Sequence, residues 1–307
     1  MRITIPIPEE EDNLNIFIQK TATYCGCFLY KLFTNFALLI WNYNYHFLYI
    51  TFMEFYKYQG TGNDFVMVDN RDLTFPKSTS LIAQLCDRRF GIGGDGLILL
   101  ENDDQYDFRM VYYNADGNES TMCGNGGRCL VSFAHFLKIF ENKTSFMAID
   151  GLHEAEVNGD LVKLKMIDVE DINTFPEYTV MNTGSPHYVA FVEHVEDMDV
   201  YLEGKKIRNN DTFKKEGINV NFVTQTSENE LFVRTFERGV EDETYSCGTG
   251  VTASALTFMQ NHNQTPVHIK VLGGTLKVYA EKAEKGFRNI WLEGPAKQVF
   301  KGNLEVK

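Results

Sequence analysis

Met122-Cys123-Gly124-Asn125-Gly126 and Ser246-Cys247-Gly248-Thr249-Gly250 are one short phrase used twice, 247 − 123 = 124 positions apart. Each carries a cysteine, a glycine, a small polar residue and a second glycine, and each runs into a segment of helical periodicity. A second pair, Thr61-Gly62-Asn63 and Thr183-Gly184-Ser185, keeps nearly the same offset, 184 − 62 = 122. Two matched pairs at almost one offset indicate an internal duplication in which each half delivers one thiol.

A chain of 307 residues accommodates two domains of ordinary size. Its 44% hydrophobic and 23% charged residues are those of a globular protein. The net charge of −13 speaks against nucleic acid, because phosphate binding needs a basic surface. Six irregularly spaced cysteines make neither a disulfide scaffold nor a zinc site. Free thiols in a reducing cytoplasm are the expectation.

Residues 1–52 differ in texture. The run from Phe28 to Phe52 is rich in aromatics, but Lys31, Asn35, Asn42, Asn44 and His46 interrupt it. That leaves it short of the roughly 20 apolar residues of a membrane span. Glu9, Glu10, Glu11 and Asp12 occupy the place of the basic start of a signal peptide. Patterned sequence begins at Met53, so residues 1–52 are expected to be an extension upstream of a functional start. A weak membrane- or partner-binding segment is the competing reading.

From Met53 onward, short apolar runs are broken by Gly, Asn and Asp. Strands are expected at Phe65–Val68, Gly96–Leu100, Phe108–Tyr113 and Leu161–Met166, and again at Tyr188–Val192, Asn219–Val223 and Leu231–Phe236. Two more, Val267–Val271 and Thr275–Ala280, flank a Gly273-Gly274 turn. Helical spacing covers Arg128–Phe140 and Val251–Met259, each downstream of a cysteine. Each half is therefore mostly strands around one main helix, with a boundary near Val169 to Pro176.

A cysteine at a helix start feels the positive end of the helix and its unpaired N–H groups, which favour thiolate. The neighbouring glycines let backbone N–H groups approach an anion. One such turn is more often a buried, inert cysteine; two equivalent turns in two equivalent halves favour function. Two symmetric thiols suit proton removal from one face of a carbon and return to the other, a racemase or epimerase. Thiol–disulfide exchange normally uses Cys-x-x-Cys, which is absent.

Asn114-Ala115-Asp116-Gly117 lies nine residues before Cys123, and Glu237-Arg238-Gly239 lies ten before Cys247. Alone, the first is a turn and the second a surface ion pair. Their matched positions shift both toward carboxylate and ammonium recognition. Gly91-Ile92-Gly93-Gly94-Asp95-Gly96 precedes a strand rather than opening a helix, so it fails as a dinucleotide loop. Cys86 and Cys129 read as packing thiols.

These motifs, with Gly60-Thr61-Gly62-Asn63-Asp64-Phe65, Arg89-Phe90-Gly91 and Gly184-Ser185-Pro186-His187, resemble those of the diaminopimelate epimerase family from Met53 to the end. The resemblance implies an α/β (α+β) fold of two pseudo-symmetric domains, each a strand barrel around a central helix. Residues 53–170 with the final strand 294–307 would form the first, and 171–293 the second. It implies conversion of LL-2,6-diaminopimelate to the meso form, with no metal or organic cofactor and no membrane or nucleic-acid partner. A homodimer is compatible with it. Cys123 and Cys247 would be the acid/base pair, and Asn63, Asn114, Asn219, Glu237 and Arg238 the substrate contacts. Gly124-Asn125 and Gly248-Thr249 would cradle the reacting carboxylate, while His187 and Glu237 would tune the thiols. Ser185 stands where the family often has an asparagine, and Gly96 where some members have a glutamine.

Overall fold

The computed structural model describes residues 51–306; the expectations for residues 1–50 lie outside the described residues. The first half contains β1 (Thr51–Gly60), β2 (Asn63–Asp69), α1 (Thr79–Cys86), β3 (Gly96–Glu101) and β4 (Phe108–Asn114). After α2 (Gly124–Phe136) come β5 (Lys143–Ala148), β6 (Gly151–Asn158) and β7 (Leu161–Lys165). The second half has β8 (Ile172–Thr174), β9 (Thr179–Asn182), β10 (Pro186–Phe191), α3 (Val200–Arg208), β11 (Asn219–Ser227), β12 (Glu230–Glu237) and β13 (Asp242–Thr244). It continues with α4 (Gly248–Asn261), β14 (Val267–Val271), β15 (Gly274–Lys282), β16 (Phe287–Pro295) and β17 (Lys297–Val306).

Strand pairing repeats almost step for step. In the first half β1–β2 is antiparallel, β2–β3 parallel, β3–β4 antiparallel, β4–β5 parallel, and β5–β6 and β6–β7 antiparallel. The second half runs β9–β10 antiparallel, β10–β11 parallel, β11–β12 antiparallel, β12–β14 parallel and β14–β15–β16 antiparallel. The equivalent strands β7 and β16 then pair with each other, Leu164 opposite Leu292, and join the halves. β17 returns to pair with β1. This is a sheet-rich α+β fold of two pseudo-symmetric halves, each wrapped around one helix.

Both central helices are buried along most of their length, as a helix surrounded by strands is, and their buried residues are mainly apolar. Cys129, Leu130, Val131, Phe133 and Ala134 of α2 are fully buried, as are Val251, Ala253, Ala255 and Leu256 of α4. Phe133 packs against the rings of Tyr56 and Tyr58, with centroids 4.9 and 5.7 Å away. Its truncation to alanine would cost about 3–5 kcal/mol in transfer and cavity terms. β3 is buried at every position: Ile98 and Leu100 face the main core, while Leu97 and Leu99 face α1. A strand covered on both faces explains why its sequence is a continuous apolar run rather than an alternating one. The expectations missed α1 and α3, short helices outside the sheet.

The main helices differ from their expected bounds in one instructive way. α2 begins at Gly124, four residues before the expected Arg128, and stops at Phe136 rather than Phe140. Glycine costs about 1 kcal/mol against alanine in a helix, so propensity reads Gly124-Asn125-Gly126-Gly127 as loop. Close packing around this first turn overrides that preference: the space beside Gly126 is taken by Ile98 and Phe65. At the other end Lys138 adopts the left-handed φ of 59° and stops the helix. Leu137 and Phe140 still pack on the core from beyond the helix end.

Candidate active site

Cys123 and Cys247 occupy equivalent places, each the N-cap of its half's buried helix. Their backbones are extended, with φ and ψ of −92° and 133° for Cys123 and −115° and 109° for Cys247. Their carbonyls accept from Gly127 N at 2.7 Å and from Val251 N at 2.9 Å. The two helix N-termini meet at the following glycines. A Cβ on Gly124 would lie 3.7 Å from the Cα of Gly248, and one on Gly248 would lie 3.5 Å from the Cα of Gly124. Two positive helix ends therefore converge, with a thiol at each. Leu292 of the joining strand packs beneath both glycines.

Burial pushes the Cys123 thiol up, and the N–H groups of Gly126 and Asn125 pull against it. Cys247 is pushed up further by burial and by Glu237, opposed by the Thr249 hydroxyl. Glu237 itself is raised by burial, opposed by hydrogen bonds from Thr244, at 2.5 Å, and from the Cys247 thiol. Thiol, thiol and carboxyl all hold their protons more tightly than they would in water.

The two sulfurs have different neighbours. Cys123 Sγ donates to Asn63 Oδ1 at 3.6 Å. Asn63 is oriented from behind, because its Nδ2 donates to Asp95, leaving Oδ1 toward the cysteine. Asp95 in turn pairs with Arg88 at 2.7 Å, which pairs with Asp64 at 2.6 Å. Lys57, buried, holds the other Asp64 oxygen at 2.7 Å. Burial would raise the Asp64 carboxyl, but these two cations hold it down at about 2.

Cys247 Sγ lies 3.5 Å from the hydroxyl of Thr249. That hydroxyl meets His187 Nε2 at 2.9 Å and Ser185 Oγ at 3.1 Å. Asn221, its Oδ1 occupied by the Thr235 hydroxyl at 2.9 Å, donates from Nδ2 to His187 Nδ1 at 3.1 Å. His187 must then carry its proton on Nε2 and remain neutral. Burial, with Arg238 nearby, pushes its pKa down to about 3. Ser185 belongs to this network, accepting from Asn219 Nδ2 at 3.0 Å.

The other expected positions fall around this centre. Asn114 and Glu237 end the equivalent strands β4 and β12, which confirms the matched spacing read from the sequence. Glu237 and Arg238 form no ion pair: Glu237 faces Thr244 and Cys247, while Arg238 Nη1 donates to Glu216 O at 3.0 Å. Arg238 N donates to Asn219 Oδ1 at 2.8 Å. Asn114 is exposed, at the turn closed by Gly117 N to Asn114 O at 2.9 Å. Beside Gly96, a Cβ would lie 2.5 Å from Tyr113 O and 2.6 Å from Cε2 of Tyr112. The Tyr112 ring thus fills the space a larger residue would need. Cys86 and Cys129 are buried free thiols raised by burial to about 11 and about 12, as packing cysteines should be.

Sequence reasoning missed the groups that tie the halves together. Asn125 Nδ2 donates to Ser246 O at 2.8 Å, and Thr61 Oγ1 to Ser246 Oγ at 2.8 Å, both across the junction. Arg128, wholly buried, holds Asn125 Oδ1 at 2.9 Å, Gly124 O at 3.3 Å and Thr61 Oγ1 at 3.3 Å. A lone arginine three and four residues past these partners, on an otherwise apolar helix, was the available signal.

The twin halves and their paired helix ends define the protein's class as an isomerase, of the amino-acid racemase and epimerase kind. The model of the family described as Diaminopimelate epimerase matches residues 55–169 and 179–299. The chain belongs to that family. It is 56% identical over 256 residues to a diaminopimelate epimerase of Flavobacterium psychrophilum, covering 82% of this chain and 100% of that one. A diaminopimelate epimerase of Chlorobaculum tepidum is 44% identical over 259 residues, 80% of this chain and 99% of its own. Among solved structures, a PhzF-family phenazine biosynthesis protein of Bacillus anthracis shares the fold with a TM-score of 0.67 at 15% identity, covering 83% of this chain and 100% of that one. A probable proline racemase of Agrobacterium radiobacter does so with a TM-score of 0.60 at 13% identity, covering 83% and 93%.

Proposed function

We propose that the protein interconverts LL- and meso-2,6-diaminopimelate by two-thiol proton transfer, supplying lysine and peptidoglycan precursors in the cytoplasm. The observation that carries the reading is the convergence of two cysteine-capped helix N-termini, one from each half. Substrate binds with its reacting carboxylate on the N–H groups of Gly124-Asn125 and Gly248-Thr249, where two helix dipoles favour negative charge. One sulfur, as thiolate, removes the α-proton; the other, as thiol, gives its proton to the opposite face. The first sulfur leaves as thiol and the second as thiolate, so the roles exchange with direction. Charge developing on the carboxylate is met by N–H groups already in place, which costs no reorganisation.

In this scheme Asn63, Asn114, Asn219, Glu237 and Arg238 take the substrate's polar groups, and His187 acts through Thr249 on Cys247. The repeat of strands supports two domains, 53–170 with the final segment 294–307, which carries the returning strand β17, and 171–293. Among the described residues no helix is long and apolar enough to cross a membrane.

Incubation of purified protein with LL-diaminopimelate in D₂O tests the reading. Deuterium at the α-carbon together with meso product is expected. Product from proline or hydroxyproline instead would move the assignment to those substrates. Neither exchange nor product would leave a protein that binds or exchanges thiols.

A further inference from the structure

The two halves correspond strand for strand, yet the layer beneath each cysteine turn differs in chemistry. In the first half β2–β3 sets Phe65 opposite Gly96, and β3–β4 sets Ile98 opposite Tyr112. In the second, β10–β11 sets His187 opposite Asn219, and β11–β12 sets Asn221 opposite Thr235. Phe65, Ile98 and Tyr112 thus correspond to His187, Asn221 and Thr235. The helix glycines agree: Ile98 and Phe65 take the space beside Gly126, and Asn221 and His187 the space beside Gly250. All of these strand side chains are buried. Since one half fills the place with hydrocarbon and rings, the fold does not require polar groups there. Buried polar groups are costly unless fully partnered, so a polar trio under Cys247 calls for an explanation.

The hydrogen bonds of the trio have one consistent direction. Tyr188 O, a backbone carbonyl, can only accept, and it lies 2.9 Å from Asn221 Nδ2. That fixes the amide: Oδ1 takes the Thr235 hydroxyl proton at 2.9 Å, and the second Nδ2 hydrogen goes to His187 Nδ1 at 3.1 Å. With Nδ1 accepting, the ring proton sits on Nε2, facing Thr249 Oγ1 at 2.9 Å and Ser185 Oγ at 3.0 Å. Neither hydroxyl can then donate to the imidazole. Asn219 is fixed in the same way. Its Oδ1 accepts from Arg238 N, and its Nδ2 donates to Pro186 O at 3.1 Å and Ser185 Oγ at 3.0 Å. Ser185, receiving these donors, has Thr249 Oγ1 as its own acceptor at 3.1 Å. The Thr249 proton is left for Cys247 Sγ at 3.5 Å.

Resting on the two-thiol reading above, we propose that Asn221 is a positioning residue: by holding His187 as its Nε2–H tautomer, it commits the Thr249 hydroxyl proton to Cys247 Sγ. On that reading Cys247 is a thiolate at one end of every turnover, and a thiolate there needs a donor. Glu237 and Cys123 oppose negative charge on it, as burial does, while the Thr249 hydroxyl and the N–H of Gly250 favour it. Arg238, the charged neighbour of His187, joins burial in keeping the imidazole neutral. No proton travels along the chain; Asn221 fixes an orientation.

Two measurements on the free protein test this. In protein labelled with ¹⁵N-histidine, long-range ¹H–¹⁵N correlation should show His187 with Nε2 protonated and Nδ1 bare at pH 7, its signals assigned by their loss in His187→Gln. Asn221→Asp, equal in size, replaces the donor by an acceptor and should move the proton to Nδ1. Alkylation of Cys247 by iodoacetamide in a Cys123→Ser background should then shift by about one pH unit toward alkaline, roughly ten-fold slower at pH values below the thiol's own. Thr249→Val, which removes the hydroxyl link, should give a similar shift, and adding Asn221→Asp to it should give no further one. A further full unit in the double variant would mean that the new carboxylate acts on the sulfur through space, and overturns the proposal. So would Nδ1–H in the parent, a bare Nδ1 in Asn221→Asp, or an unmoved Asn221→Asp profile. If Asn221→Asp does not fold, the parent spectrum and Thr249→Val decide. Nε2–H with an alkaline shift supports the proposal; Nδ1–H or an unmoved profile overturns it. Because no turnover is measured, failure here stays separate from failure of the substrate assignment.

Discussion

Asn125 in one half hydrogen-bonds the carbonyl of Ser246 in the other at 2.8 Å, one residue ahead of Cys247. The turn that presents one thiol is thereby fastened by a side chain from the turn that presents its twin. Asn125→Ala would leave Ser246 O unpaired in the interior and Arg128 Nη2 with Thr61 Oγ1 as its one remaining partner, at about 1–3 kcal/mol for the lost bonds. Urea unfolding should report that loss. kcat should fall by more than stability requires, about 100-fold, since reacting groups displaced by about 1 Å lose that much. Wild-type kcat in a folded Asn125→Ala protein would show that the fastening is irrelevant to catalysis.

Replacing either Cys123 or Cys247 by alanine should reduce epimerisation by at least about 1,000-fold, within the range that proton transfer contributes. Both positions cap helices through their backbone carbonyls, not their sulfurs, so far-UV circular dichroism should not change. Substantial epimerisation by either variant would exclude the two-base scheme.

His187 is buried neutral, pushed down to about 3 from an ordinary value of 6.5. Between those two values the unfolded chain binds a proton that the folded protein refuses, so stability falls as pH drops from about 6.5 toward 3. The slope from this residue is at most about 1.4 kcal/mol per pH unit. Comparing urea midpoints at pH 7 and pH 5 should show a smaller acid loss in His187→Gln than in the parent. Equal losses would mean that His187 is protonated in the fold.

At position 96 the crowding by Tyr113 O and Tyr112 leaves no room for a side chain. Gly96→Ala should cost about 1–3 kcal/mol, the usual penalty for overpacking. Thermal unfolding would measure it, and an unchanged midpoint would mean that the strand pair β3–β4 yields more easily than its buried pattern indicates.

The duplication, the two thiols and the central helices were legible because each leaves a mark in the chain: repeated glycines, a repeated offset, a 3.6-residue period. β1, β5, β6, β16 and the short β8, β9 and β13 were not expected, but strands such as β3 were legible as short apolar runs. The first turn of α2 was not, because Gly124 to Gly127 are poor helix formers held by tertiary packing. Nor were the contacts through Ser246, Thr61 and Arg128. Those of Ser246 with Asn125 and Thr61, and of Arg128 with Thr61, join residues more than 60 positions apart, and neither propensity nor period reports on such pairs. Glu237 and Arg238 show the converse: adjacency suggested an ion pair, yet the strand end turns one toward Cys247 and the other toward Glu216.

Fold symmetry does not extend to the sulfurs' surroundings. Cys123 faces an amide oxygen, whereas Cys247 faces a hydroxyl and a carboxyl. On the two-thiol scheme each turnover leaves the free protein in the opposite protonation form from the one that began it. The two forms then differ in energy, and the protein must reset between like turnovers. Such a catalyst carries a memory of its last direction. At high flux the resetting step, rather than the carbon chemistry, would set the pace, and isotope washed out of one enantiomeric centre would trace it.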